Sequence, residues 1–255
     1  MLQRIEEYKN ALTRPEILRL GDEAIRELDA NAGGQYLLTE VLLLEHVDRL
    51  IARRLRLPSF PRWRRRHRTL RLAQREPTHW ALEPQTPLVS LARRLEPGDV
   101  ALVVGVGALG AALFLAAHEA EVFLLDHDIA AAEGAESRAM CEQLGGRFHT
   151  LVTQLGRWLP DVTPSLVVLD QGALAVAPAG DLARAVTDLQ HRTRAGGVHL
   201  VLPAAPGRAI PLGAESLQSY YRGWQIEPRK RGGRALGFLA TKLERQLDTA
   251  RHVSE

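Results

Sequence analysis

The 255-residue sequence predicts an α/β fold, a doubly wound, mostly parallel sheet with an antiparallel last strand, preceded by a helical region. Three observations carry that prediction. From residue 86 onward, short apolar runs alternate with helical patterns, the rhythm of a parallel sheet with helices on both faces. Within it, Val100-Ala-Leu-Val-Val-Gly-Val-Gly-Ala-Leu-Gly110 reads as a buried strand, a glycine turn and a helix start, and Val122-Phe-Leu-Leu-Asp-His-Asp128 as a second strand ending in a carboxylate. Near the end, Gly223-Trp-Gln-Ile-Glu-Pro228 and Ala235-Leu-Gly-Phe-Leu-Ala-Thr241 are joined through Gly232-Gly233 with no room for a helix, so they must pair antiparallel.

The elements follow in order. Met1-Leu-Gln-Arg-Ile-Glu-Glu is charged and helical and lacks a signal-peptide core. Thr13-Arg-Pro-Glu16 has capping-box spacing ahead of Ile17, Leu18, Leu20, Ile25 and Leu28 at helical intervals. Asn31-Ala-Gly-Gly34 breaks that helix, and a third follows with Tyr36, Leu37, Val41, Leu42, Leu43, Leu44, Val47, Leu50 and Ile51 apolar. So wide a stripe is expected to pack on two sides, against the α/β domain or a second subunit, which makes these helices a candidate homo-oligomer contact. Pro58 and Pro61 end it. An arginine-rich segment and the linker Glu76-Pro-Thr-His-Trp-Ala-Leu-Glu-Pro84 lead on, placing a helical region at 1–76 and an α/β domain at 77–255.

In that domain a helix over Pro87–Leu95 is closed by Glu96-Pro-Gly-Asp99. Strands are predicted at 100–105, 121–126, 147–153, 164–170 and 198–202, with helices at 108–119, 129–143, 181–194 and 214–221. Gly145-Gly146 and Ala195-Gly-Gly197 close two of those helices.

Composition bounds the rest. An apolar content of 45% with 25% charge fits a soluble globular protein, and the uncharged stretch Ala101–Ala117 falls short of a membrane span. A single cysteine, Cys141, rules out an internal disulfide and suits a reducing compartment, so the cytoplasm is the expected location; within its helix pattern it reads as a buried structural thiol. Ten arginines lie between Arg53 and Arg75, with no acid between Asp48 and Glu76, which leaves the rest of the chain net acidic. That segment has three readings: a solvated face, a partner for acidic helices, or a phosphate grip with Phe60 and Trp63 as stacking surfaces for nucleic acid. His118, His127, His149 and His199 show no ligand-like spacing, so no metal is expected, and His199 reads as a packing residue inside a strand.

The glycine turn carries the functional reading. Gly105 and Gly107 would let the backbone turn sharply beside a ligand, and the helix from about Ala108 would aim its free N–H groups there. Asp126 stands where a carboxylate can accept both ribose hydroxyl protons, which points to an adenosine-containing cofactor. Asp128 is placed to cap the next helix, and Asp170 ends a buried strand at the sheet's carboxyl edge, where ligands bind in such folds. Gly105-x-Gly-x-x-Gly110 with Asp126 also matches a dinucleotide fingerprint, so a nicotinamide-dependent oxidoreductase is a rival reading.

From about Thr78 to Lys242, two-thirds of the chain, the order of pieces resembles a class I S-adenosylmethionine-dependent methyltransferase: the Pro-Thr-His-Trp lead-in, the glycine turn, Asp126, Ala195-Gly-Gly-Val-His-Leu-Val-Leu202, Trp224-Gln-Ile and Gly237-Phe-Leu-Ala-Thr-Lys242. The resemblance implies a Rossmann-like, seven-stranded sheet whose antiparallel last strand inserts beside the fifth. It implies S-adenosylmethionine as cofactor, with Gly105, Val106 and Gly107 at its methionine end, Asp126 and His127 at the ribose, and Gln154 beside the adenine. It places Asp170, Gln171 and Pro203 toward an unidentified small-molecule or polyanionic acceptor, and leaves methyl and aminocarboxypropyl transfer undistinguished. Three positions depart from the family pattern: Val103 replaces an acid, Leu109 a glycine and Gln154 an aspartate. They leave a catalytically silent scaffold as the alternative.

Overall fold

The computed structural model describes residues 2–31, 40–174, 181–203, 214–231 and 234–243. The expected helix break at 32–34, Tyr36 and Leu37, and the Gly232-Gly233 turn lie outside them. The chain divides into two units, residues 1–70 and 71–255.

The first unit is built from α1 (Leu2–Ala11), α2 (Arg14–Asn31), α3 (Glu40–Arg54) and most of α4 (Phe60–Gln74). The capping-box residue Glu16 accepts from the Thr13 backbone N–H at 2.7 Å, satisfying a donor that helix geometry leaves without a partner. Ile5, Leu20, Ala24, Leu50 and Ile51 form its small core. The wide stripe of α3 is only half covered, since Val41 and Leu44 are 66% and 52% exposed. Salt bridges tie the helices together: Lys9 to Asp48 at 2.7 Å, Arg53 to Glu27 and Arg54 to Glu23. The arginine-rich segment forms the helix α4, which has Pro61 in its first turn, where the missing N–H costs nothing. Arginine is also a good helix former.

The second unit holds a seven-stranded sheet ordered β3-β2-β1-β4-β5-β7-β6. Its strands are β1 (Val100–Val104), β2 (Glu121–Asp126), β3 (Phe148–Val152), β4 (Leu166–Asp170), β5 (Val198–Leu202), β6 (Trp224–Arg231) and β7 (Arg234–Lys242). β1 to β5 are parallel, while β7 runs antiparallel between β5 and β6. The hairpin read from the sequence therefore inserts its second strand next to the fifth.

Strand alternation splits the apolar residues between two faces. Ala101, Val103, Val122, Leu124, Val168 and Leu200 face one core with α5 (Pro87–Ala92), α6 (Leu109–Ala117) and α7 (Ile129–Cys141). Leu102, Val104, Leu125, Val167, Leu169 and Phe238 face the other with α9 (Asp181–Arg192) and α10 (Ala214–Gln218). Every residue of α6 from Ala111 to Ala117 is buried, because the helix is covered on its outer side too. The cover is the lead-in turn Pro77–Trp80: Trp80 is buried in the same core, donates its indole N–H to the Gln74 carbonyl at 2.7 Å, and sets its own carbonyl against Gly110. A Cβ at Gly110 would stand 2.6 Å from that oxygen.

Three expectations need correction. The helix after Pro87 stops at Ala92 rather than Leu95. Gln171–Leu174, outside every predicted helix, is the single helical turn α8. Cys141 is exposed, not buried: the buried stripe of α7 runs through Ala132, Ala135 and Ala139, and two residues beyond Ala139 the helix has turned its other face inward.

Candidate functional site

The strand order reverses between β1 and β4, so the chain after each leaves toward opposite faces and a crevice opens at their carboxyl ends. Val104 pairs with both Leu125 and Leu169, which brings the glycine turn after β1 between Asp126 at the end of β2 and Asp170 at the end of β4.

Gly105 adopts φ +93°, a conformation side chains disfavour, and donates its N–H to the Leu125 carbonyl at 2.8 Å. A Cβ there would lie 2.5 Å from the Ala173 Cβ, and one at Gly107 would lie 2.1 Å from the Asp170 Oδ2. Gly105 therefore admits Ala173 of α8, and Gly107 admits Asp170 at the end of β4 while its other side stays exposed. The sequence reading had assigned that room to a ligand alone.

Asp126 is 7% exposed. Its Oδ2 accepts from the Val106 N–H at 2.6 Å and its Oδ1 from the Asp128 N–H at 3.0 Å, so each oxygen keeps a further lone pair. His127 places Nδ1 at 3.2 Å from the same Oδ1, with its side chain 47% exposed. Asp128 caps α7, accepting from the Ala130 N–H at 2.9 Å, as expected from the sequence. The Thr153 N–H donates to the Asp126 carbonyl at 2.8 Å and holds the segment carrying Gln154 beside β2.

These residues border one crevice of about 330 Å³, counting its part open to solvent, lined by Val104, Leu125, Asp126, His127, Thr153, Gln154, Leu155 and Ala173. The structure thus brings Asp126, His127 and Gln154 together along the crevice; Gly105, Val106 and Gly107 do not line it, and the turn reaches it only through the Val106 N–H on Asp126. The apolar floor of Val104, Leu125 and Leu155 was missed. Its signal was present, since Val104 and Leu125 immediately precede Gly105 and Asp126. Asp170 is almost fully buried and accepts from the Gly172 N–H at 3.0 Å. Gln171 is buried too, while Pro203 is exposed beyond β5. Neither lines the crevice.

The departures from the family pattern have plain structural places. Val103 is fully buried in the core under α6, and Leu109 packs against that same core, not into the crevice. Among the described residues no three His, Cys, Asp or Glu side chains gather as a metal site.

His199 is sealed in the interior between Thr193 and Tyr221. The Thr193 hydroxyl donates to the Leu189 carbonyl at 2.7 Å, so it must accept from His199 Nε2 at 2.7 Å, and His199 Nδ1 accepts from the Tyr221 hydroxyl at 3.0 Å. Burial, with the Lys242 cation nearby, pushes the His199 pKa down to about 3, and burial pushes the Tyr221 hydroxyl up. The neutral imidazole is a structural member of the core, as read from its strand position.

No family model matches the sequence, nor does any curated protein. Solved structures do. A candidate rRNA methylase from Clostridium thermocellum is 14% identical, with a TM-score of 0.50 over 62% of this chain and 94% of that one. An S-adenosylmethionine-dependent O-methyltransferase from Thermotoga maritima is 16% identical, TM-score 0.49, over 65% and 68%. TehB from Haemophilus influenzae is 17% identical, TM-score 0.47, and this chain spans 61% of its length, with 61% of this chain covered. At such identities the likeness is one of fold.

Proposed function

We propose, from an α/β unit with the class I S-adenosylmethionine-dependent methyltransferase fold, that the chain binds S-adenosylmethionine and transfers its methyl group to an unidentified acceptor. The observation that carries this reading is the crevice at the β1/β4 reversal, where a buried carboxylate, an apolar floor and a glycine turn meet. Its residues fit adenosine. Asp126 has acceptor capacity left for two hydroxyls, Leu125, Leu155 and Val104 offer a dry wall for a purine, and Gln154 brings an amide to the rim.

The charge pattern favours a cationic ligand over an anionic one. Asp126 and Asp170 flank the turn from both sides, and the Val106 and Ala108 N–H groups are already given to Asp126 and the Gly105 carbonyl. A pyrophosphate would meet a carboxylate where it needs free donors, which weighs against the nicotinamide reading. When bound, S-adenosylmethionine supplies a methyl group on a positively charged sulfonium. The chain's own part is to align it and keep water out, a task that requires no catalytic dyad.

The test is calorimetric titration of the full chain with S-adenosylmethionine, S-adenosylhomocysteine and NAD(H). Micromolar binding of the first two, lost in Asp126→Ala, is expected. Because Asp126 also braces the Val106 N–H, Asp126→Asn with a thermal melt separates lost binding from lost folding. A folded protein that binds neither sulfur ligand overturns the reading in favour of a silent scaffold.

A further inference from the structure

The arginine-rich run resolves into two parts with different fates. Arg53 and Arg54, on α3, are engaged by Glu27 and Glu23 of α2. Arg62, Arg64, Arg65, Arg66 and Arg68, on α4, are all exposed, and among the described residues none of the five forms a salt bridge. The helix holds no Asp or Glu.

Along one side of α4, Phe60, Trp63 and His67 recur at helical spacing and stack on one another. Ring centroids lie 5.8 Å apart for Phe60–Trp63 and 5.1 Å for Trp63–His67, with interplanar angles of 24° and 26°. No residue of α4 belongs to any of the three apolar cores, and Phe60 is 57% exposed. Among the described residues, this helix buries only Gln74 fully, and its exposed Phe60 and five guanidinium groups without a salt bridge belong to none of the three cores.

We infer that α4 is a docking surface for single-stranded RNA. The argument is charge complementarity joined to ring geometry. Guanidinium forks pair with phosphate oxygens, and the outer face of Phe60, at the exposed end of the ring stack, accepts an unpaired base without regard to sequence. RNA is the polymer that routinely presents unpaired bases, in loops, bulges and ends. A membrane surface fits less well, because insertion needs a broad apolar face. Here the arginines at 62, 64, 65, 66 and 68 encircle most of the helix, leaving a narrow strip of Phe60, Trp63, His67 and Leu70, with the exposed Leu72 standing apart from it among the arginines.

The experiment is fluorescence anisotropy of the full chain with a labelled oligouridylate of about 20 nucleotides, long enough to span several stacking and phosphate contacts. Five phosphate contacts to a single strand give a log–log salt slope of about −3.5, so affinity should fall about a hundredfold from 50 to 200 mM salt. Replacing Arg62, Arg65 and Arg66 with Gln should flatten that slope by about 2. Phe60→Ala should weaken binding about tenfold while leaving the slope unchanged. Arg93→Gln with Arg94→Gln, exposed on the other unit, should change nothing. All of these side chains lie outside the cores, so unchanged melting curves are expected to accompany them.

Absence of RNA binding at low salt overturns the inference. So does equal loss from the Arg93/Arg94 pair, preference for duplex over single strand, or binding confined to anionic vesicles or to a second copy of the chain. None of these results depends on whether the α/β unit transfers methyl groups.

Discussion

The two units differ in what lies between their elements. Around α6, the interior is continuous: Leu113, Phe114 and Leu115 are wholly buried between sheet and lead-in turn, and Tyr221 and Phe238 fill the opposite face. Around α3, the described residues supply a small core of five buried side chains, and ion pairs near the surface join the helices beside those apolar contacts. Exposed pairs contribute little and are screened by salt. A unit of about 70 residues with so thin a core is also near the size at which a single domain is marginal. The contrast teaches that one part of the chain is specified by packing and the other by charge placement, and that each should respond to a different perturbation.

The sharpest way to break the comparison is Phe114→Ala. It should cost about 3–5 kcal/mol and lower the main denaturation transition, because the void lies between layers that cannot collapse onto it. A variant that melts like the parent would show that α6 is not the packed centre of the unit.

An intermediate effect comes from His199. Its folded pKa, about 3, lies well below the ordinary 6.5, so the unfolded chain takes up a proton that the folded one refuses. Stability is therefore complete above pH 6.5 and lost as pH falls toward 3. Urea melts should show a loss of about 1 kcal/mol between pH 6 and pH 5. His199→Gln, which preserves a donor toward Thr193, should abolish that part of the slope; an unaltered slope would assign it elsewhere.

The smallest effect should be Glu23→Gln, which removes the partner of Arg54. A slight early loss of helical signal at low salt is expected, disappearing at high salt, with the α/β transition untouched. A salt-independent loss would mean that packing, not charge, holds these helices.

Much of the α/β unit was legible because its signals are local. Apolar runs of strand length, the Ala195-Gly-Gly197 stop and the Asp128 cap each act within a few residues, whereas α7 closes at Gln143, with φ +59°, rather than at Gly145-Gly146. The hairpin was legible because two adjacent strands without a helix allow only one pairing. What escaped reading depends on distance in sequence or on phase. Asp170 lies against Gly107 only because β4 registers beside β1, sixty-odd residues away along the chain. Cys141 was misread because the phase of α7 is fixed by Ala132, Ala135 and Ala139, not by the polarity of the thiol. The helix α4 gave no apolar period to detect, since its faces are arginine and stacked rings rather than a core stripe. At the site, Asp126 and Gln154 were found as points, whereas the wall between them emerges only when three strands align.

The lead-in turn has a consequence for where the α/β unit begins. Trp80 looks, in sequence, like part of a spacer between proline residues, yet its carbonyl occupies the very room that a side chain at Gly110 would need, and its ring closes the roof over α6. The glycine that completes the dinucleotide-like spacing is thereby spoken for by a contact with the protein itself. The apparent spacer is thus a keystone: removing it would uncover the helix whose start carries the glycine turn, and would disturb the crevice from behind.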